Sequence, residues 1–403
     1  MDTEQCDVAI IGAGPAGAVA AAMLVRAGFE VRVLEKQHFP RFVVGESLLP
    51  YAMEILEQAG MLPLVQAAQG FQYKNGMAFS WDGRYAAYDF TAKYGPGPGT
   101  AFNVQRDRFD DLLIRAAAAQ GAVVCFGEHV DALDNSGSGV RLRVLREDGS
   151  HYRVDARFVL DASGHYRALP RLLGWEQPAG VPLRQVHFTH IDDHITDPAF
   201  DRNKNLVAIH PQHRDVWLWL IPFSNGRTSI GVVGEAERFG DVRASAAILR
   251  RCVAEMPDVA RILAQAQWDN DVPFFYLPGY SSAVQSVHGR HFALLGNAAG
   301  FLDPVFSSGI TIAVHSAKLA VSVLIRQLNG AAVDWQRDYA VPLAQGVNVF
   351  HAYVNAWYEG RFQDLLFRPH AGEDARNMIS AVLAGYVWDS DNPYVTDAQM
   401  LLM

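Results

Sequence analysis

The chain has 403 residues, enough for two domains around a large core. Half of the residues are hydrophobic, 19% are charged and the net charge is −9, so no basic stripe is available to neutralise the phosphates of a nucleic acid. Cys6, Cys125 and Cys252 lie far apart with no CxxC or Cys/His spacing, which argues against a disulfide framework and a zinc site; no metal ligands are assigned.

The first informative segment, Val8 to Val25, is uncharged and long enough to suggest a membrane helix. Asp2 and Glu4 precede it, where a signal peptide would carry lysines, and Gly12, Gly14, Pro15 and Gly17 interrupt it. It reads instead as a strand (Asp7–Ile11), a glycine turn (Gly12–Gly17) and a helix (Ala18–Ala27), followed by a second strand (Phe29–Leu34) ending in Glu35. No targeting signal, no membrane span and a cytoplasmic location are expected.

This βαβ unit is a dinucleotide fingerprint with an acidic residue about 20 positions past the loop. Gly12 permits the tight turn, Gly14 lets a pyrophosphate approach the backbone, and Gly17 lets helix and strand pack closely. The helix start offers free N–H groups and a positive dipole end to phosphates. Glu35 can accept hydrogen bonds from a ribose.

Next come Arg41-Phe42-Val43-Val44-Gly45-Glu46-Ser47, and then a lone lysine between aromatics in Phe71-Gln72-Tyr73-Lys74-Asn75-Gly76-Met77-Ala78-Phe79-Ser80-Trp81. An arbitrary lysine reads as a solvated surface charge, but the flanking Tyr73, Phe79 and Trp81 favour a poorly hydrated position for Lys74, where burial shifts its pKa. Gly95–Gly99 reads as a mobile loop, Gln105–Leu113 opens a helix carrying Arg106, and Phe158–Gly164 is a strand running into a turn.

Val181 to Val233 reads as several strands with polar turns, including Ser224-Asn225-Gly226-Arg227. Within it lies Trp217-Leu218-Trp219-Leu220-Ile221-Pro222, whose two indoles point to one face of a strand. They either fill a sheet face or form a rigid wall. Val242 to Ala266 reads as helical, and Pro273 to Pro278 returns toward the sheet.

Phe292 to Pro304 is a strand and a small-residue turn containing Gly296 and Asn297. It leads through Phe306-Ser307-Ser308-Gly309 into a helix from Ile310 to about Leu328. After Asp334 the chain is helical and aromatic, with Leu343, Val347, Phe350, Val354, Trp357 and Leu365 near helical spacing, a stripe that reads first as core. His165, His187, His190 and His351 are candidate polar groups near a substrate, though each alone reads first as structural or exposed, and none is nominated as a base.

These blocks together resemble the FAD-dependent aromatic hydroxylase superfamily, which also holds prenyl reductases and flavin halogenases. The resemblance covers essentially the whole chain. It implies an α/β fold: a discontinuous Rossmann-like (GR2-type) FAD-binding domain over 1–175 and 285–330, an antiparallel-sheet substrate domain over 176–284 with part of 70–105, and a helical substrate-covering region over 331–403. The cofactor contacts it implies are Gly12, Gly14, Ala16, Gly17, Glu35, Lys36, Arg41, Glu46, Ser47, Arg106, Asn297, Pro304, Gly309 and Ile310, with Arg106 and the Gly296-Asn297 turn at the ribityl and pyrophosphate region. Asn297 stands where the family usually has Asp.

Within the superfamily, Trp217, Trp219, Ile221 and Pro222 resemble the signature of the flavin-dependent halogenases of the phenol and pyrrole type. So do the Lys74 block and the Phe306–Gly309 loop. The resemblance implies a wall separating flavin from substrate, a halide site at Ser308 and Gly309, and Lys74 as the catalytic residue. The implied reaction chlorinates or brominates an electron-rich phenol or pyrrole, either free or as a carrier-protein-bound thioester. A separate flavin reductase supplies FADH2; O2 gives a C4a-hydroperoxyflavin, and the halide becomes hypohalous acid, guided to Lys74. The rival readings on this fold are an aromatic monooxygenase, a prenyl reductase and a flavoprotein without turnover.

Overall fold

The apolar run ahead of the glycine loop is the middle of a sheet, as a run buried on both faces must be. In the computed structural model, which describes residues 2–180, 182–240, 244–368 and 372–398, strand Thr3–Ile11 pairs in parallel with Val31–Glu35 on one side and with His151–Asp161 on the other. Val123–Phe126 and Phe292–Leu294 extend this sheet outward in parallel, and Val140–Arg146 adds an antiparallel flank. Thr3–Ile11 is longer than the expected Asp7–Ile11 because its first residues pair with Arg153–Ala156. Helix Pro15–Arg26 starts earlier than expected, with Pro at its first position, where no N–H is needed.

A second, seven-stranded sheet runs Phe275–Pro278, Arg184–Asp192, Arg227–Glu235, Trp217–Pro222, Lys204–Ile209, Gly76–Trp81 and Arg84–Asp89. All its pairings are antiparallel except Lys204–Ile209 with Gly76–Trp81. Helices Ser245–Ala254 and Pro257–Ile262 cover one face, packing Leu249 and Val259 against Leu218 and Leu220. The expected starts at Val181 and Val242, and the last residues of the chain from 399, lie outside the described residues.

Helix Ser308–Leu328 is long and apolar enough to cross a membrane. Its Val314, Ala317, Ala320, Val321 and Leu324 are wholly buried in the core that also holds Ala18, Ala21 and Ala22 of Pro15–Arg26, as in a core helix. The C-terminal stretch is helical over Val341–Tyr358, Arg361–Leu366 and Glu373–Leu383, with Gly360 at φ +82° breaking the first two apart. The Gly95–Gly99 loop, expected to be mobile, is tied down: Tyr386 donates its hydroxyl to Pro98 O at 2.9 Å and Lys93 Nζ donates to Gly95 O at 2.8 Å.

Candidate active site

A cavity of about 360 Å³ runs from the glycine loop to the second sheet, lined at one end by Gly12, Gly14 and Glu35 and at the other by Trp217 and Trp219. The glycines have distinct reasons to be there. Gly12 has φ +97° and its absent Cβ would lie 2.6 Å from Ala162 O. A Cβ on Gly17 would lie 2.0 Å from Gly12 O, so helix and turn close only without one. Gly17 shapes the loop from behind and does not line the cavity. On Gly14 a Cβ would meet only Arg41 Nη2, at 3.6 Å; that side is open to a ligand. Glu35 accepts from Ala13 N and Gln37 N, both at 2.9 Å, one per carboxylate oxygen, and each oxygen keeps a lone pair for a ribose hydroxyl.

Lys36, Arg41 and Arg106 make this length of cavity positive. Arg41 Nε is buried without a partner, a donor awaiting an acceptor such as a phosphate. Arg106 lines the cavity, as the resemblance implies, and is also held by its own partners. It binds Asp110 bidentately at 2.8 and 2.9 Å and donates to the carbonyls of Val44 and Gly45, both at 3.1 Å. Two of its N–H groups thus hold the Arg41–Ser47 segment, while two others bind Asp110 on its own helix. Asn297 lines the cavity beside His165, Nδ2 to Nε2 3.1 Å. The open glycine loop, the unpartnered Arg41 donor and the elongated shape fit FAD.

Trp217 and Trp219 stand on one strand face, ring centroids 6.0 Å apart. Both indoles are fixed: Trp217 Nε1 donates to Tyr358 Oη at 2.9 Å and Trp219 Nε1 to Ser229 Oγ at 3.1 Å. Gly231 makes room for the second, since a Cβ there would lie 2.2 Å from Trp219 Cη2. Ile221 shares the lining, but Pro222 does not. Side chains alternate along a strand, so Pro222 faces the other way, and its carbonyl accepts from Asn103 Nδ2 at 3.1 Å.

Behind the wall lies Asp303, fully buried, accepting from Tyr280 Oη at 2.8 Å and Tyr358 Oη at 2.9 Å, with Arg184 Nη1 at 3.9 Å. Burial pushes the Asp303 carboxyl up and both phenols well above their ordinary value. The aromatic stripe after Asp334 fills the rest: Phe350, Tyr353, Trp357 and Phe362 are buried in one core with the tryptophans, and no described residue after Ala313 reaches the cavity.

Lys74 is wholly buried, not a surface charge. Its Nζ donates to Ser47 Oγ at 2.7 Å and Leu48 O at 3.0 Å, and lies 5.4 Å from the Phe90 ring centroid. Burial lowers the amine to about 7. Lys74 does not line the cavity; Ser47 does. Nor do the flanking aromatics box it in. Tyr73 is 43% exposed, and Trp81 lies between the guanidinium groups of Arg84 and Arg214, 3.9 and 4.2 Å from its ring centroid.

At the proposed halide loop, Ser307 at φ +56° turns the chain into helix Ser308–Leu328. Ser307, Gly309 and Ile310 line the cavity together with Pro304, whereas the Ser308 side chain is buried away from it. The first-turn N–H groups of that helix have no intrahelical acceptors and are available to an anion.

Sequence reasoning missed three groups. Asn205 lines the cavity and donates to Ser47 Oγ at 2.7 Å. His190, a candidate polar group from sequence, has its Nε2 2.5 Å from Oε1 of Glu46, a cavity residue. Asp303 and Tyr358 hold the tryptophan wall. An Asn directly before the apolar run Leu206–Ile209 was a usable signal; the other pairings join residues 55 and 144 positions apart and leave no local trace.

Residues 5–342 match the family FAD_binding_3, an FAD binding domain. The flavin-dependent halogenase armH3 of Armillaria mellea is 31% identical over 353 residues, 81% of this chain and 69% of that protein. The sulochrin halogenase gedL of Aspergillus terreus is 30% identical over 357 residues, 79% of this chain; the chain spans 62% of its length. The 1H-pyrrole-2-carbonyl-[peptidyl-carrier protein] chlorinase of Pseudomonas fluorescens is 27% identical over 394 residues, 89% of this chain and 84% of that protein. Among solved structures, a flavoprotein/dehydrogenase from Cytophaga hutchinsonii superposes with a TM-score of 0.93 at 37% identity, covering 99% of this chain and 97% of its own. Glycine loop, tryptophan wall and relatives agree, and the chain belongs to the flavin-dependent halogenase family of FAD-binding proteins.

Proposed function

We propose that this chain uses FADH2, O2 and chloride or bromide to halogenate an electron-rich aromatic, a phenol or a pyrrole, with a flavin reductase as its partner. The observation that carries this is the meeting of three features at one cavity: the glycine loop, the indole pair, and a buried lysine one hydrogen bond behind the lining at Ser47. Bound as FADH2, the cofactor supplies the electrons with which O2 is activated to oxidise the halide to hypohalous acid.

The protein's share is confinement. Glu35 and the helix start at Pro15 orient the dinucleotide, while Arg106 and Asp110 fix the Arg41–Ser47 segment across it. Backbone N–H groups at Ser308 and Gly309 hold the halide. Trp217 and Trp219, pinned by Tyr358 and Ser229, bar an aromatic substrate from direct contact with the flavin and exclude water. Lys74, lowered to about 7 by burial, polarises the hypohalous acid. The residues lining the cavity come from segments on both sides of 176–284, which supports a cofactor domain split over 1–175 and 285–330.

The relative named for a carrier-bound pyrrole spans 84% of its own length in the match, which favours a carrier-tethered thioester as substrate. The test is incubation with FAD, a reductase, NADH and bromide, offering a phenol, pyrrole-2-carboxylate and its carrier-bound thioester. Mass spectrometry should find the brominated ring, with the thioester preferred. A hydroxylated ring without bromine would replace the halogenase reading by monooxygenation; turnover of the free acid alone would end the tethered one.

A further inference from the structure

Ser47 Oγ accepts two hydrogen bonds at once, from Lys74 Nζ and from Asn205 Nδ2, each at 2.7 Å. The Asn205 amide orientation is set by its neighbour. Asn103 Nδ2 donates both to Pro222 O at 3.1 Å and to Asn205 Oδ1 at 2.8 Å, which turns the Asn205 nitrogen toward Ser47. A hydroxyl has two acceptor lone pairs and one proton. With both lone pairs engaged, only the proton is left to offer, and Ser47 lines the cavity while Lys74 does not. Among the described residues nothing charged stands beside Nζ: its other neighbours are Leu48 O and the Phe90 ring, and burial is the cause of its shift.

On the halogenase reading proposed above, we infer that Ser47 is the group through which Lys74 acts, donating its hydroxyl proton to the oxygen of hypohalous acid in the cavity while Lys74 replaces that proton. As the halogen passes from oxygen to a ring carbon, the O–X bond breaks and its electron pair stays on oxygen. That oxygen takes the Ser47 proton and leaves as water. The Ser47 oxygen takes a proton from the Lys74 ammonium, which becomes a neutral amine. The proton lost from the ring carbon passes to the water just formed and returns through Ser47 to Lys74. The sum is an aromatic C–H and hypohalous acid giving an aryl halide and water.

The chain has only five lysines, Lys36, Lys74, Lys93, Lys204 and Lys318, so ε-¹³C-lysine NMR can follow each one. Titration is done on the protein with FAD but without halide or aromatic, and the Lys74 signal is the one missing from Lys74→Arg. Because the hydrogen bond favours the charged amine, Ser47→Ala should lower its midpoint by about one unit. The same variant should cut product formation about 100-fold, the size of a lost proton-transfer group, and shift its pH profile. Ser47→Thr, which keeps the hydroxyl, should restore both.

An unmoved Lys74 midpoint together with undiminished product in Ser47→Ala overturns the relay. Should Ser47→Ala lose FAD, Ser47→Gly, which also lacks the hydroxyl, makes the same comparison. The two hypotheses fail separately. Halogenation surviving Lys74→Met removes the reading beneath the relay. Product lost in Lys74→Met but kept in Ser47→Ala removes the relay alone.

Discussion

The Trp217 indole donates to the Tyr358 phenol at 2.9 Å, and the same phenol donates onward to Asp303 at 2.9 Å. One hydroxyl from the C-terminal helix Val341–Tyr358 thereby joins the indole pair to the residue just ahead of Pro304. Arg184 lies over the Tyr358 ring at 3.3 Å and faces the same carboxylate, so the charge stays paired in a dry place.

Tyr358→Phe deletes that hydroxyl and leaves Trp217 Nε1 without its acceptor and Asp303 one donor short. The expected cost is about 1–3 kcal/mol, read by urea denaturation. FAD affinity should hold, because Tyr358 does not line the cavity. Halogenated product per O2 consumed should fall, since a loosened wall leaks its intermediate. An unchanged ratio would strip the pin of its function.

Lys74→Met should separate stability from activity. The amine is held near 7 in the folded protein against 10.5 when free, so the unfolded chain binds more protons over that interval. Stability of the unsubstituted protein therefore rises as pH climbs from 7 toward 10.5, and Lys74→Met loses this slope. At pH 7 the variant should be more stable by about 2 kcal/mol, less than the titration alone implies because two hydrogen bonds go with the amine. Denaturation midpoints at pH 7 and 9 check the slope, and no halogenated product should form.

The glycine loop yields a contrast between neighbours. Gly17→Ala puts a methyl 2.0 Å from Gly12 O, where backbone must move, and FAD binding should weaken by more than about tenfold. Gly14→Ala meets only the tip of Arg41 at 3.6 Å. Its apoprotein should melt within about 0.5 kcal/mol of the parent, and only cofactor affinity should drop. Flavin fluorescence quenching measures the affinities and urea denaturation of the apoproteins the stabilities; equally small stability losses would contradict the packing assignment of Gly17.

His315 sets an acid limit. It lies against the Trp388 ring at 3.7 Å, shares a 2.9 Å hydrogen bond with the Tyr51 hydroxyl, and is pushed by burial from 6.5 down to about 3. The unfolded chain takes up a proton near 6.5 that the folded chain refuses, so stability is complete above that pH and falls below it. At pH 5 this histidine accounts for about 2 kcal/mol of the loss. His315→Gln should lose about that much less between pH 7.5 and 5 in urea titrations; an identical loss would show that the ring already carries charge when folded.

What could be read from the residues was local. Gly12, Gly17 and Glu35 announce themselves by spacing, and Trp217 and Trp219 share a face because strands alternate. The same alternation sends Pro222 away, a consequence available from sequence but hidden by treating the motif as one unit. Lys74 was the reverse case: its importance came from its neighbours in sequence, while its environment comes from Ser47 and Leu48, which the fold brings across from more than 25 positions away. Arg106 was legible as a cavity residue, but its partner Asp110, one helical turn on, reads as an ordinary helix residue until both are seen buried.

The cavity is assembled from positions spread between Gly12 and Ala313. During synthesis the glycine loop emerges early, yet the helix start that closes the opposite side emerges some three hundred residues later. A nascent chain that has not reached Ala313 holds half a clamp. The dinucleotide is thus a ligand of the finished fold, and its concentration acts on stability only after folding is nearly complete. At a free concentration one hundred times its dissociation constant it would add about 2.7 kcal/mol. In a cell short of flavin, that makes the supply of cofactor a control on how long each new molecule lasts.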